Sequence, residues 1–317
     1  MSNEKIAINN EQLTMNKDTV RKPKTFTGKV FYLLFVICYL LFAFSCSSAP
    51  KKPAEIFTER NVAASQLNLA NQTANRGSYD EALLLLAEAR RLALSTDDPQ
   101  LRIKTSMARG NILFSMGRQD EAFKELENAA AEGDTSNETI LTSLVRIYII
   151  RAQLRLQEEL SMNSGTAINE LIDKLNREIN AVRSDPLASA AGYVTLGMAE
   201  RLAGRWAEAE SAVKKALDIH DKGLHLEDAA YDWFLIGSIR SMAGKYDSSI
   251  EALKQSISLD RRAENGFGLA SSWQALGDVY QKAGKTGESR SAYQRAAEIF
   301  RAIGFIERAE KLEGQIR

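Results

Sequence analysis

The 317-residue sequence is poor in the residues that staple a fold or give it a strong field: it has two cysteines, two histidines and five prolines, and its 41 basic residues equal its 41 acidic ones. Cys38 sits inside an apolar run and Cys46 closes it, so the rest of the chain has no thiol for a disulfide framework or a thiolate metal site. Balanced charge offers nothing to steer a polyanion, and nucleic acid is not an expected partner. No Gly-rich phosphate loop follows a strand pattern. What is abundant points one way. Apolar residues make up 44% of the chain, enough for a packed core, and plentiful Ala, Leu, Glu, Arg and Lys with few prolines favour long helices.

The N-terminal segment reads as an address. Arg21, Lys22, Lys24 and Lys29 precede the uninterrupted apolar run of residues 30–44, which is shorter than the roughly 20 residues of a membrane span and suits the core of an export signal. Ala43, Phe44, Ser45 and Cys46 then resemble a bacterial lipobox, with Phe44 where a small residue is usual. That resemblance implies lipidation of Cys46 and a lipid anchor to the membrane. The expected division is a signal peptide at 1–45, a polar tether at 46–57 and a folded region at 58–317. An alternative stays open: counting on through the serines to Ala49 gives twenty residues, the length of an uncleaved anchor. Either way the chain is held at a membrane with its bulk exported, and Met15 is a second candidate start. Without residues 1–45 the chain carries 35 basic against 38 acidic residues.

Self-similarity dominates the remainder. Gly77–Ala82 reads GSYDEA, Gly117–Ala122 GRQDEA, Gly204–Ala209 GRWAEA, Gly244–Ser249 GKYDSS and Gly284–Ser289 GKTGES, with glycine spacings of 40, 87, 40 and 40. Each glycine separates two amphipathic helical patterns and can end the first in a left-handed conformation, which makes each unit a helical hairpin. Seven residues earlier stands a small residue, at Ala70, Gly110, Gly197, Gly237 and Gly277, which together with Ala82, Ala122, Ala209, Ser249 and Ser289 lets paired helices approach closely. Tyr193, Trp233 and Trp273 lie one turn before the last three. The long spacing predicts a degenerate unit at about 138–183, with Tyr148 and Ala152 in its first helix and Ile168, Leu171, Ile172, Leu175 and Ile179 in its second.

At these positions the chain resembles the tetratricopeptide-repeat (TPR) family. Trp273, Leu276, Gly277, Tyr280 and Ala296 fit its pattern, as do Trp233 with Gly237, and Tyr193, Leu196, Gly197, Ala209 and Ala216. The resemblance implies an all-α superhelical solenoid of about six hairpins, with a C-terminal capping helix on the stripe Ile306, Ala309, Leu312 and Ile316. The period of 40 exceeds the family's usual 34 or so and predicts longer helices or connections. In overall plan the chain is similar to bacterial TPR lipoproteins that support envelope assembly or transport.

Family members bind ligands on the concave face. Carrying the positions over gives one row of Leu67, Met107, Ile149, Val194, Phe234 and Gln274, and beside it Asn71, Asn111, Gln153, Met198, Ser238 and Asp278. The amides suit the backbone of an extended peptide and the apolar row its side chains. Lys104 and Arg146, with the two asparagines, are reminiscent of a carboxylate-gripping set. The expected partners are envelope or periplasmic proteins, and no cofactor, metal or enzymatic activity is expected. A second reading is a carrier of small apolar ligands lined by Val194, Leu202, Phe234 and Met242. His220 and His225, in the segment HDKGLH, read as a hydrophilic connection rather than a metal site, and the S-x-x-K pattern Ser211 to Lys214 stands without companion motifs.

Overall fold

The computed structural model describes residues 58–160 and 165–316, together with Tyr32. Residues 1–45, Cys46 and the tether to residue 57 lie outside the described segments of the solenoid, and none of the expectations placed on them is addressed by it. Thirteen helices make up the described fold, and the described residues contain no strand. They pair as hairpins: α1 (Thr58–Asn75) with α2 (Tyr79–Ser95), α3 (Pro99–Ser115) with α4 (Gln119–Thr135), and α5 (Thr139–Glu159) with α6 (Gly165–Ala181). Then come α7 (Pro186–Leu202) with α8 (Trp206–Lys222), α9 (Leu226–Met242) with α10 (Tyr246–Arg262), and α11 (Gly266–Lys282) with α12 (Thr286–Ala302). α13 (Ile306–Ile316) caps the stack, burying Ala309 and Leu312 while Ile306 stays 46% exposed. The side chain of Ile316 is outside the described residues.

The 40-residue period comes from helix length. From α7 onward each repeat helix has 17 residues and each turn three, so a hairpin and the turn that follows it span 40. In five of the six hairpins a turn glycine closes the first helix with a pair of backbone hydrogen bonds, such as Gly244 N–H to the Ser241 carbonyl and Lys245 N–H to the Arg240 carbonyl. The 87-residue glycine spacing exceeds two periods by seven residues, which the helix bounds divide as four in the longer α5, two between α5 and α6 and one between α6 and α7.

Small residues allow the close packing within hairpins. A Cβ on Gly237 would lie 2.7 Å from Cγ of Leu253, and one on Gly277 would lie 2.6 Å from Cδ1 of Tyr293. The serines that replace alanine on the second helix are buried and satisfied: Ser249 Oγ donates to the Gly237 carbonyl at 2.7 Å and Ser289 Oγ to the Gly277 carbonyl at 2.9 Å. Between hairpins the aromatics bridge successive core clusters. Tyr193 packs against those of the third to fifth hairpins, and Trp273 against those of the last two hairpins and the cap. Ile168, Leu171, Ile172, Leu175 and Ile179 of the degenerate unit are buried, as their spacing predicts.

Candidate functional site

The solenoid turns back on itself around a cavity of about 1000 Å³. One wall comes from the first helices of the first three hairpins, whose inward faces carry Leu67 and Asn71 on α1, Met107, Asn111 and Phe114 on α3, and Leu144 and Tyr148 on α5. Tyr79, Lys104, Ser115, Arg155, Glu158 and Glu159 rim the same wall. The opposite wall comes from the first turns of helices far along the chain: Asp228 on α9, Phe267 on α11 and Arg308 on α13. Residues separated by more than 200 positions therefore share one site.

Its chemistry is mixed. Apolar side chains share its lining with Asn71, Asn75 and Asn111, whose amides can both donate and accept hydrogen bonds. Lys104, Arg155 and Arg308 are balanced in number by Glu158, Glu159 and Asp228, so neither sign of charge prevails. The Arg308 guanidinium lies 5.1 Å from the ring centre of Phe267 and 5.7 Å from those of Phe300 and Phe305, a cation held on an aromatic cluster. Such a surface suits a ligand with a polar backbone and apolar side groups.

Of the ten expected groove residues, the cavity unites four: Leu67, Asn71, Met107 and Asn111. Ile149, Gln153, Phe234 and Ser238 are partly buried outside it. Val194 and Met198 correct the expectation: both are 4% exposed and sit in the core with Val213, Leu235 and Ile236, so the same repeat position that faces the cavity on α3 faces the neighbouring hairpin on α7. The set proposed for a small apolar carrier is likewise dispersed, with Val194 buried and Met242 48% exposed against Arg201, whose Nη1 lies 3.4 Å from the Met242 sulfur. Lys104 joins the cavity beside the asparagines, whereas Arg146 is engaged with Asp134 at 2.8 Å. Asp228, Phe267 and Arg308 escaped sequence reasoning, because only the accumulated rotation of the repeats carries them to the site.

One of the two histidines departs from its expected place, whereas His225 lies in the turn between α8 and α9. His220 is not in a connection but in the last turn of α8, buried, with Nδ1 2.7 Å from Oδ2 of Asp232 on α9. His225 lies edge-on to it at 6.2 Å. Burial alone would lower the His220 pKa, but the hydrogen bond and charge of Asp232, with Asp228 and Asp221 nearby, hold it above the ordinary histidine value. Burial pushes Asp232 up to about 6 against the opposing pull of His220. Among the described residues no three His, Cys, Asp or Glu side chains gather as a metal site. Ser211 is exposed, and Lys214 pairs with Glu210 at 2.8 Å.

The family model described as "Tetratricopeptide repeat" matches residues 187–262 and 228–302. A comparison with curated proteins gave no match. Among solved structures, the chain is similar to a Rap protein complexed with competence and sporulation factor, at 14% identity and a TM-score of 0.54 over 79% of this chain and 72% of that one. It is also similar to BtubC (BKLC) from P. vanneervenii, at 15% identity and a TM-score of 0.49 over 76% and 92% of the two chains. A further similarity is to PilW, a type IV pilus biogenesis factor, at 13% identity and a TM-score of 0.47 over 79% and 98%. At 14% identity the likeness to the Rap protein is one of fold. Tetratricopeptide repeats are thus matched over residues 187–302, and with the same hairpin geometry recurring along the described helices the described solenoid is of the tetratricopeptide-repeat type.

Proposed function

We propose that this protein is a membrane-tethered scaffold that takes an extended segment of an envelope protein partner into the cavity between its N-terminal and C-terminal hairpins. The observation that carries the reading is the coincidence of amides and apolar side chains on one concave wall. Asn71, Asn75 and Asn111 are placed for the backbone of an extended chain, and Leu67, Met107 and Phe114 for its side chains. At about 1000 Å³ the cavity holds a segment of several residues and not a folded domain. The binding reading needs no catalytic group, and among the described lining residues none is hydrogen-bonded as a nucleophile to a base. Tethering rests on the sequence around Cys46 and the apolar run before it; among the described residues no helix is long and apolar enough to cross a membrane.

The test is site-directed photocrosslinking in the membrane. A photoreactive residue at Met107 is expected to capture short segments of one or a few envelope proteins, identified by mass spectrometry, while the same residue at the outward-facing Leu84, 73% exposed, captures none of them. Equal capture at both positions would place binding elsewhere than the cavity.

A further inference from the structure

The turn glycines are equivalent by sequence but not by surroundings. Gly77, Gly117, Gly204, Gly244 and Gly284 all have positive φ at the same place in their hairpins. A Cβ added to Gly117, Gly204, Gly244 or Gly284 would meet no described atom within 4 Å. A Cβ added to Gly77 would lie 2.5 Å from Cζ and 2.7 Å from Cε2 of Phe305, a residue 228 positions away. The ring of Phe305 is therefore seated directly on the backbone of the first hairpin's turn.

Phe305 is well held for this. Its ring centre lies 5.1 Å from that of Phe267 and 6.1 Å from that of Phe300, and Arg308 covers it. The same aromatic group supplies Phe267 and Arg308 to the cavity's second wall. Phe305 thus joins two things: its edge touches the turn of the first hairpin, and its faces pack on the residues that complete the site.

We propose that Phe305 is a clasp: by docking on Gly77 it closes the solenoid end to end and sets the C-terminal wall of Phe267 and Arg308 against the N-terminal wall of Leu67, Met107 and Phe114. The proposal deepens the binding reading and rests on it for its consequence. A ligand that touches both walls binds the closed form more tightly than the open one, so occupancy and closure favour each other by the same factor. Opening the clasp leaves each wall folded and separates them. In a solenoid each repeat is stabilised by its neighbours, so this end-to-end contact is additional to what the fold requires.

The test reads each variant at the far end of the chain, in the full-length protein in detergent micelles, by amide hydrogen exchange. Phe305→Ala should accelerate exchange at Arg76 to Tyr79 at least tenfold and leave the equivalent turn around Gly117 unchanged. Gly77→Ala should accelerate exchange in α13, because its Cβ collides with the ring. Gly117→Ala suffers the same backbone strain with nothing above it and should not affect α13. The amphiphilic anion 1-anilinonaphthalene-8-sulfonate, titrated against protein-free micelles as the blank, then reports the consequence, with affinity for the native protein lowered at least fivefold by Phe305→Ala. Unchanged exchange at Arg76 to Tyr79 in Phe305→Ala, or equal effects of the two glycine substitutions on α13, would overturn the clasp. Coupled exchange with unaltered fluorophore affinity would overturn its role in setting the walls. Failure of the Met107 crosslink while the exchange coupling persists would remove the protein-partner reading alone.

Discussion

Nδ1 of His220 on α8 lies 2.7 Å from Oδ2 of Asp232 on α9, and the pair is closed off from solvent at the seam between the fourth and fifth hairpins. The other carboxylate oxygen of Asp232 is buried with no hydrogen-bond partner among the described residues. One repeat further on, Asp260 on α10 takes the histidine's place and Ser272 on α11 the aspartate's, and Asp260 accepts from Asn265 at 2.8 Å and from Ser272 at 3.4 Å. Burial pushes Asp260 up to about 6, against the hydrogen bonds from Asn265, Ser272 and Ser256. Two successive seams thus carry buried ionisable groups where an ordinary repeat would carry packing.

The pH dependence follows from their direction. His220, Asp232 and Asp260 all bind their protons more tightly in the folded chain than in the unfolded one. The aspartates' contribution to stability is fully present below about pH 4 and is lost as pH rises through about 6; that of His220 is lost above its ordinary titration range. The melting temperature should therefore fall from pH 5 to pH 7.5. Asp260→Asn keeps an acceptor for the serines and cannot ionise, so it should raise stability at pH 7.5 by about 1 to 3 kcal/mol and change little at pH 4.5. A variant that is less stable than the parent at pH 7.5 would contradict a destabilising buried charge.

Gly237 tests the packing within a hairpin. Its helical backbone accepts alanine, and propensity alone would favour Gly237→Ala by up to about 1 kcal/mol. The added methyl, however, would fall 2.7 Å from Cγ of Leu253, which is itself fully buried. Overpacking should win, with a net loss of about 1 to 3 kcal/mol in urea unfolding. A stabilised variant would mean that the two helices are further apart than the geometry gives.

How much of this was legible beforehand depends on the range over which each cause acts. The hairpins, the small residues at Gly110, Gly197, Gly237 and Gly277, and the capping residues Ala309 and Leu312 are set by neighbours within one repeat, and their spacing displays them. The 40-residue period was visible too, although only the structure assigns it to 17-residue helices. Val194 and Met198 depart from the pattern because a repeat position fixes a residue's phase on its helix but not the tilt of that helix against the next. α7 follows the irregular α5–α6 unit, and there Gly192 lets Ile179 approach so closely that a Cβ would lie 2.6 Å from its Cγ1. Phe267, Phe305 and Arg308 are set by a longer-range cause: small rotations summed over six hairpins bring them to the first one, and no local pattern in the sequence carries that sum.

The anchor is tested chemically. If Cys46 receives the lipid, Cys46→Ala should abolish incorporation of labelled fatty acid and release the protein from membranes, because the two acyl chains of a diacylated cysteine are what hold it stably. Labelling at the parent level in that variant would refer retention to the apolar run of residues 30–44 acting as an uncleaved anchor.

Met107 and Phe234 occupy the same repeat position, on α3 and α9, and the structure separates their roles. Met107 lines the cavity, whereas Phe234 is outside it, packed against the cores of the fourth to sixth hairpins and stacked on Tyr231 with ring centres 6.1 Å apart. Met107→Glu should leave helical content and melting temperature close to those of the parent, since the carboxylate can remain hydrated in the open cavity, yet it should remove partner crosslinking by placing a desolvated charge in an apolar contact. Phe234→Glu should do the reverse and destabilise the protein by about 2 to 4 kcal/mol, because its ring joins two core clusters. Circular dichroism melts and photocrosslinking from a second cavity position, Asn111, measure both quantities on the same samples. If Met107→Glu melts as low as Phe234→Glu, Met107 belongs to the packing and the N-terminal wall is not a ligand surface. If both variants melt like the parent and both lose crosslinking, the binding surface extends past the cavity along the concave face to α9.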